Sequence, residues 1–504
     1  MASCATRMPS PSRVRSAVPM VLWCSAILYA CWRFACATQY LPLARPHGFV
    51  NSKYGLLRKM DDTHIRWNLI SGGFFLISRW LLLQPVITKL LLRTWKEAVP
   101  SFYILYTTAF LLLEYGCVVT MFWYSVYSVM FLAALSGRKD VCYILFTAFF
   151  LFYKSYLTPS FIERSIYDNE VAKGYLMDAG LCYSFIRSLS FALDCVERNM
   201  VPPVRETLAY YLYLPNFFYG PAINYSDFAR QLKRLPEPLS ISTLRLFLRL
   251  LYCYALFILY DLHVHFFYHQ ALSRHPLIVE ALDCWSLAGF CFLCTFSVFL
   301  EHRSCFLLGN TLAALEGIRL PEASICIARL YSTTHLWKYY NRGLHLWFAR
   351  YFYVPFAAED TGHVKRAVGA GLVFGLVWVS HNKGANIAAW CSITWMCVLL
   401  EKIVIQFGST PRGLWIQKSF PNLVRLVQLV LYTISLLLAY MSSMFVTTGW
   451  VVTFIVSKKL LGAPVPAVLL LFAIYCGVLC SLEYHKQRSQ RSRTCREEKS
   501  QNKE

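Results

Sequence analysis

The sequence predicts an all-α protein whose helices cross a lipid bilayer many times. Three observations carry this expectation. The 504 residues are 57% hydrophobic and only 15% charged, against roughly 25% charged in an ordinary soluble domain. The apolar residues fall in long uninterrupted blocks, not in the short or alternating runs of a soluble α/β chain. The Lys and Arg behind a net charge of +22 sit in short segments flanking those blocks, which marks membrane topology and not readout of nucleic-acid phosphates. No RNA-binding or zinc-finger spacing accompanies them, so nucleic acid is not expected as a partner.

Apolar stretches long enough to span, about 18–25 residues, begin near 17–36 and 68–93 and continue at 101–116, 117–136 and 141–158. Others follow at 240–268, 282–316, 367–380, 385–407, 424–446, 447–461 and 465–483. Arg7, Arg13 and Arg15 precede the first of them, which reads as a retained anchor rather than a cleaved signal. The Gln84-Pro85 pair and the stretch 176–196 interrupt the pattern enough to suggest re-entrant or interfacial segments. About ten to twelve crossings result. Both ends are basic, with Lys486, Arg488, Arg491, Arg493 and Arg496 after His485, so both termini are expected in the cytosol and the crossings should be even in number. The expected organisation is a basic N-terminus over 1–16, one multi-span unit over 17–484 and a polar, disordered tail over 485–504. Nineteen cysteines do not imply a disulfide framework, because most lie inside apolar runs. Cys291 and Cys294 are an example, where Cys behaves as a small hydrophobe.

Function in such a chain is sought where polar residues interrupt apolar ones. Within spans, Glu114 and Asp261 are the clearest acids. Three polar islands stand out. Residues 210–228 are aromatic and broken by Pro215 and Gly220-Pro221; they read either as a structural turn or as the irregular wall of a cavity. Residues 337–355 alternate aromatics with Lys338, Arg342 and Arg350. This suits an interfacial anchor, or cations holding an anionic cosubstrate. Residues 377–384 place His381 between two apolar stretches, where a histidine is either structural or a base.

In order, these islands resemble the membrane-bound O-acyltransferase superfamily, and within it the Hedgehog acyltransferase branch. The likeness rests on Phe185 to Leu193, Leu214 to Phe228, Cys326, Trp337 to Pro355, and His381 through Trp390 to Glu401. It covers roughly residues 170–405; before that only hydropathy is similar. The resemblance implies a bundle of transmembrane and re-entrant helices around an intramembrane cavity. It implies His381, nine residues before Trp390, as general base and Asn341 as the second catalytic position, where many members of the branch carry Asp. It also implies acyl-coenzyme A, palmitoyl-coenzyme A in particular, as cosubstrate, with Lys338, Arg342 and Arg350 toward its phosphates. Cys326 stands where the branch has a haem ligand. The acceptor would be the N-terminal cysteine amine of a secreted Hedgehog-type protein, and the location the endoplasmic reticulum or Golgi membrane.

Two departures bear on this. Ser380-His381-Asn382 replaces Trp-His-Gly, and the run 190–195 is closer to an acyltransferase-like paralogue thought not to catalyse. Alternatives are therefore a non-catalytic regulator of palmitoylation, an enzyme acting on a lipid or hydroxyl acceptor, and a transporter. Against the last, no inverted repeat is visible.

Overall fold

A computed structural model describes residues 17–158, 170–200, 203–235, 243–356, 363–381 and 383–501. The expected basic N-terminus over 1–16 and Asn382 lie outside the described residues. The all-α expectation holds. Among the described residues the only β-structure is a two-residue antiparallel pair, β1 (Phe49–Val50) with β2 (Met60–Asp61). Ten helices among the described residues are long and apolar enough to cross a membrane, so the chain is a multi-pass membrane protein.

The principal helices are α1 (Ala17–Thr38), α2 (Ile65–Thr94), α3 (Val99–Leu135), α4 (Lys139–Phe152), α5 (Val171–Arg198), α6 (Val204–Tyr211), α7 (Tyr225–Leu232) and α8 (Thr243–Phe266). They continue with α9 (Cys284–Leu315), α10 (Thr333–Tyr340), α11 (Arg342–Phe348), α12 (His363–Ser380), α13 (Ala385–Gly408), α14 (Pro421–Gly462) and α15 (Pro464–Gln501). The last runs on through the segment read from the sequence as a tail.

The stretches expected at 101–116 and 117–136, and at 424–446 and 447–461, are the two helical halves of α3 and of α14, each pair joined across a kink. The breaks fall at Gly116 (φ 82°) and Gly449 (φ 80°), backbone that only glycine adopts without a Cβ penalty. Pro85 behaves differently from its expectation. It removes one helix hydrogen bond, yet α2 runs straight through it. Its neighbour Gln84 is fully buried and donates to Glu316 Oε1 at 3.0 Å. The stretch 176–196, expected to be re-entrant or interfacial, is instead the centre of the molecule: 78% of the apolar window of α5 is buried, against 11% for α1 at the lipid-facing edge.

The irregular segment 212–224 is anchored to α5 chiefly by Arg187, with Tyr219 Oη donating to Tyr175 Oη at 2.9 Å as well. Arg187 is 1% exposed and donates from Nη1 to the Tyr211 carbonyl at 2.8 Å and from Nη2 to Asn216 Oδ1 at 2.8 Å, with the Asn216 carbonyl as a further acceptor. Its guanidinium also lies 5.2 Å from the Phe217 ring centroid. The backbone so held is a close-packing surface. A Cβ at Gly309 of α9 would sit 2.7 Å from the Pro215 carbonyl, and one at Gly343 of α11 would sit 2.5 Å from Ala222 N. Trp347 Nε1 donates to the Ile186 carbonyl at 2.9 Å, tying α11 directly to α5.

Arg187→Met strips donors from buried carbonyls. It should cost about 3–5 kcal/mol, read as a large fall in Tm or loss of monodisperse protein in detergent, while Arg138→Met at the exposed Arg138–Asp140 pair should change little. Glu316, just beyond α9, is raised by burial to about 8 from 4.5, with Gln84 and the Tyr103 and Tyr213 hydroxyls turned toward it. A carboxyl whose folded pKa is raised holds its proton better when folded, so stability is greatest below pH 4.5 and declines as pH rises through about 8. Glu316→Gln should flatten that decline in a Tm-versus-pH series.

Candidate active site

His381 follows the last turn of α12. Its backbone N–H returns to the Val377 carbonyl at 3.2 Å, and its ring Nδ1 lies 2.9 Å from the same carbonyl and 3.0 Å from Ser380 Oγ. A carbonyl only accepts, so Nδ1 carries the proton and Nε2 is left with a free lone pair. Ser380 donates its own proton to Val377 O at 2.7 Å, which leaves its oxygen free to accept from Nδ1. Trp390 of α13 meets the ring edge-on at 6.2 Å. The turn is closed by Trp378 Nε1 donating to the Gly384 carbonyl at 3.2 Å and by Lys383 Nζ reaching Ser155 Oγ at 3.4 Å.

The ring of His381 is accessible, although Arg66 of α2, Lys154 after α4 and His302 of α9 stand within electrostatic reach of it. These three groups bring α2, α9 and the π-helical turn at Tyr153–Leu157 into the surroundings of the ring. Arg66 tells the same story: its side chain is 40% accessible, yet it pairs at 2.7 Å with Glu301, which is 2% accessible.

Asn341 sits between α10 and α11. Its Oδ1 accepts from Leu344 N at 3.1 Å, capping α11, so only the amide nitrogen is free to donate outward, and the Tyr183 hydroxyl of α5 lies beside it. The preceding residue, Tyr340, bonds His302 Nδ1 at 3.1 Å. His302 is thus bonded to the residue before Asn341 and lies within electrostatic reach of His381. His302 also repeats the geometry of His381, with Nδ1 2.9 Å from the carbonyl four residues back.

The cationic candidates divide. Lys338 Nζ and the Arg342 guanidinium lie 5.5 and 5.3 Å from the Tyr339 ring centroid, and Arg342 Nη1 is buried without a hydrogen-bond partner. Their field is strong: burial, then Arg342, Lys338 and Lys402, pushes His345 down to about 4. Arg350 is placed elsewhere. It pairs with the fully buried Asp194 at 2.8 Å and with Glu197 at 3.5 Å, so protein carboxylates already answer its charge. The interfacial helix expected over 337–355 is in fact two short helices and a π-helical turn, with Trp347 and Tyr351 in the core.

Cys326 opens the 3₁₀ turn Ile327–Arg329. Burial pushes its thiol up, while the Ala328 N–H and the Arg329 and Arg303 guanidiniums pull it back. An N–H directed at sulfur, with cations nearby for carboxylates, is a donor set that fits a haem thiolate ligand.

Sequence reading missed Arg66, Glu301, His302, Tyr340 and Tyr183. The signal for Glu301 and His302 was available: Glu301-His302-Arg303 interrupts an apolar run, and charge inside a span marks a site. The two acids clearest within spans from the sequence, Glu114 and Asp261, hold structural pairs. Glu114 holds Arg79 and Trp80 Nε1, the latter at 2.8 Å. Asp261 holds Lys53 at 2.7 Å, Tyr54 at 2.7 Å and Trp67 Nε1 at 3.0 Å.

Three relatives align with the chain. Mouse protein-cysteine N-palmitoyltransferase HHAT is 27% identical over 265 residues, 50% of this chain and 52% of its own length. Drosophila melanogaster protein-cysteine N-palmitoyltransferase Rasp is 24% identical over 310 residues, 60% of this chain and 61% of its own. The chain thus spans about half to three fifths of these two relatives. The mouse protein-cysteine N-palmitoyltransferase HHAT-like protein is 23% identical over 452 residues, 84% of each chain. The model of the membrane-bound O-acyltransferase family matches residues 115–444, a range that takes in both His381 and Asn341, and the chain belongs to that family.

Proposed function

We propose that this protein transfers a long fatty acyl group, palmitoyl, from its coenzyme A thioester to the N-terminal cysteine amine of a secreted Hedgehog-type protein. The observation that carries the reading is the tautomer of His381: with Nδ1–H held by Val377 O, Nε2 is the free base. Nε2 takes a proton from the attacking amine as the C–N bond forms. The Asn341 amide donates to the oxygen on which negative charge develops. The C–S bond then breaks, and the coenzyme A thiolate leaves with the proton returned from His381. Lys338 and Arg342, flanking Tyr339, would hold the donor phosphates.

Arg350 keeps Asp194 and so braces α5 against the 349–353 turn. A haem, if carried, would be held through Cys326; acyl transfer itself exchanges no electrons and routes no step through it. Both termini would lie in the cytosol of an endoplasmic reticulum or Golgi membrane, a reading supported by ten candidate spans, an even number, among the described residues, with the donor entering from that side and the acceptor from the lumen.

A second reading is a non-catalytic regulator of palmitoylation, favoured by the 84% overlap with the HHAT-like relative. Transfer from labelled palmitoyl-coenzyme A to a Hedgehog N-terminal peptide separates the two. His381→Ala should lower kcat about 10²–10⁴-fold at unchanged Tm; no transfer from well-folded wild type would favour the regulator or a lipid or hydroxyl acceptor. Lys338→Gln should raise KM for the donor about tenfold with little change in kcat, because a charged hydrogen bond to phosphate is worth about 1.5–3 kcal/mol. An unchanged KM would remove Lys338 from the donor site.

A further inference from the structure

Beside α7 a cleft of about 530 Å³ opens between that helix and the segment after α9. Arg230, Arg234 and Arg319 line it, with Asp227 the one carboxylate. Its position along the membrane normal follows from its neighbours. Arg234 precedes the start of α8 at Thr243, and Arg319 follows the end of α9 at Leu315. Both helices are long apolar spans, so the cleft lies where two spans stop, at the depth of lipid headgroups.

α7 is built to lie at such a boundary. Tyr225, Phe228 and Leu232 are buried, while Arg230, Lys233 and Arg234 are exposed. The opposite wall is fixed by a two-way amide clamp: Gln231 Nε2 donates to the Arg319 carbonyl at 3.2 Å, and Arg319 N donates to Gln231 Oε1 at 2.7 Å. The Arg319 side chain therefore projects from a pinned backbone. Of the three guanidiniums, Arg230 has Asp227 at 3.5 Å; Arg234 and Arg319 have no ion pair among the described residues. Lys233 is turned to Glu206 at 3.3 Å and adds nothing to the cleft. Three forked cations against one acid, with two of them uncommitted, form a receptor for a group offering several anionic oxygens.

We propose that this cleft binds a phosphate ester presented at the membrane surface. Two sources share that chemistry, an anionic lipid headgroup and the phosphates of coenzyme A. The headgroup matches the depth of the cleft, and its lining includes neither Asn341 nor His381, so the inference stands whether or not the chain transfers palmitate. It makes the protein responsive to the anionic lipid content of its membrane.

The test uses full-length protein in detergent, titrated with short-chain phosphatidylinositol bisphosphate, short-chain phosphatidylcholine and coenzyme A, with Tm and native mass spectrometry as readouts. The bisphosphate should raise Tm saturably and appear as a bound adduct, and phosphatidylcholine should do neither. Combined Arg234→Gln and Arg319→Gln should weaken the bisphosphate at least about tenfold; both side chains are exposed, so the variant's own Tm should match wild type. Coenzyme A binding that falls tenfold in the variant, without lipid binding, would keep the phosphate site and assign it to the donor. Equal affinity in wild type and variant, or no binding of either phosphate ligand by both readouts, overturns the proposal.

Discussion

A single buried guanidinium organises the centre of this molecule. Among the described residues Arg187 has no carboxylate partner; its Nη1 and Nη2 donate to the Tyr211 carbonyl and to Asn216. Backbone carbonyls in a proline-broken segment have no helix to bond within, and leaving them unpaired in a low-dielectric interior costs several kcal/mol. By supplying those donors, Arg187 allows residues 212–224 to be irregular at membrane depth. The shape thus fixed receives Gly309 from α9 and Gly343 from α11. Those two contacts set where His302 and Asn341 stand.

From that scaffold follows the arrangement of polar groups in the membrane. Arg66 with Glu301, Tyr340 with His302, and Tyr183 beside Asn341 come from α2, α5, α9 and α10, and each polar group finds its partner on another element. Polar groups paired this way are stable only as a set, because removing one member strands the next. Both His302 and His381 spend Nδ1–H on the carbonyl one turn back. The helix geometry, rather than a neighbouring acid, fixes the tautomer and leaves Nε2 available, an arrangement that needs no buried carboxylate beside the base.

The surplus positive charge is divided among different duties. Arg187 and Arg350 are structural, one bonded to carbonyls and the other to carboxylates. Lys338 and Arg342 flank Tyr339 and depress His345, and Arg234 and Arg319 border a cleft at the end of two spans. What separates these roles is the partner each cation already has. A guanidinium with a buried acid at 2.8 Å has its charge answered, and that of Arg342, with no ion pair among the described residues, has not.

The sequence by itself determined the fold class, because a chain that is 57% hydrophobic in span-length blocks has one compatible solvent, and helices that satisfy their own backbone are the element that lipid permits. It also located the motifs at Asn341 and His381, since local order along the chain carries the family likeness. Tertiary structure decided the rest. Hydropathy could not tell that α5 is central rather than interfacial, because an apolar face looks the same against lipid as against protein. The sequence could not distinguish Arg350 from Lys338 or Arg342, because their difference lies in Asp194, distant along the chain. Nor did it reveal that Arg66 and His302 stand within electrostatic reach of His381. Those partners come from separate helices, and only packing brings their charges within reach of one another.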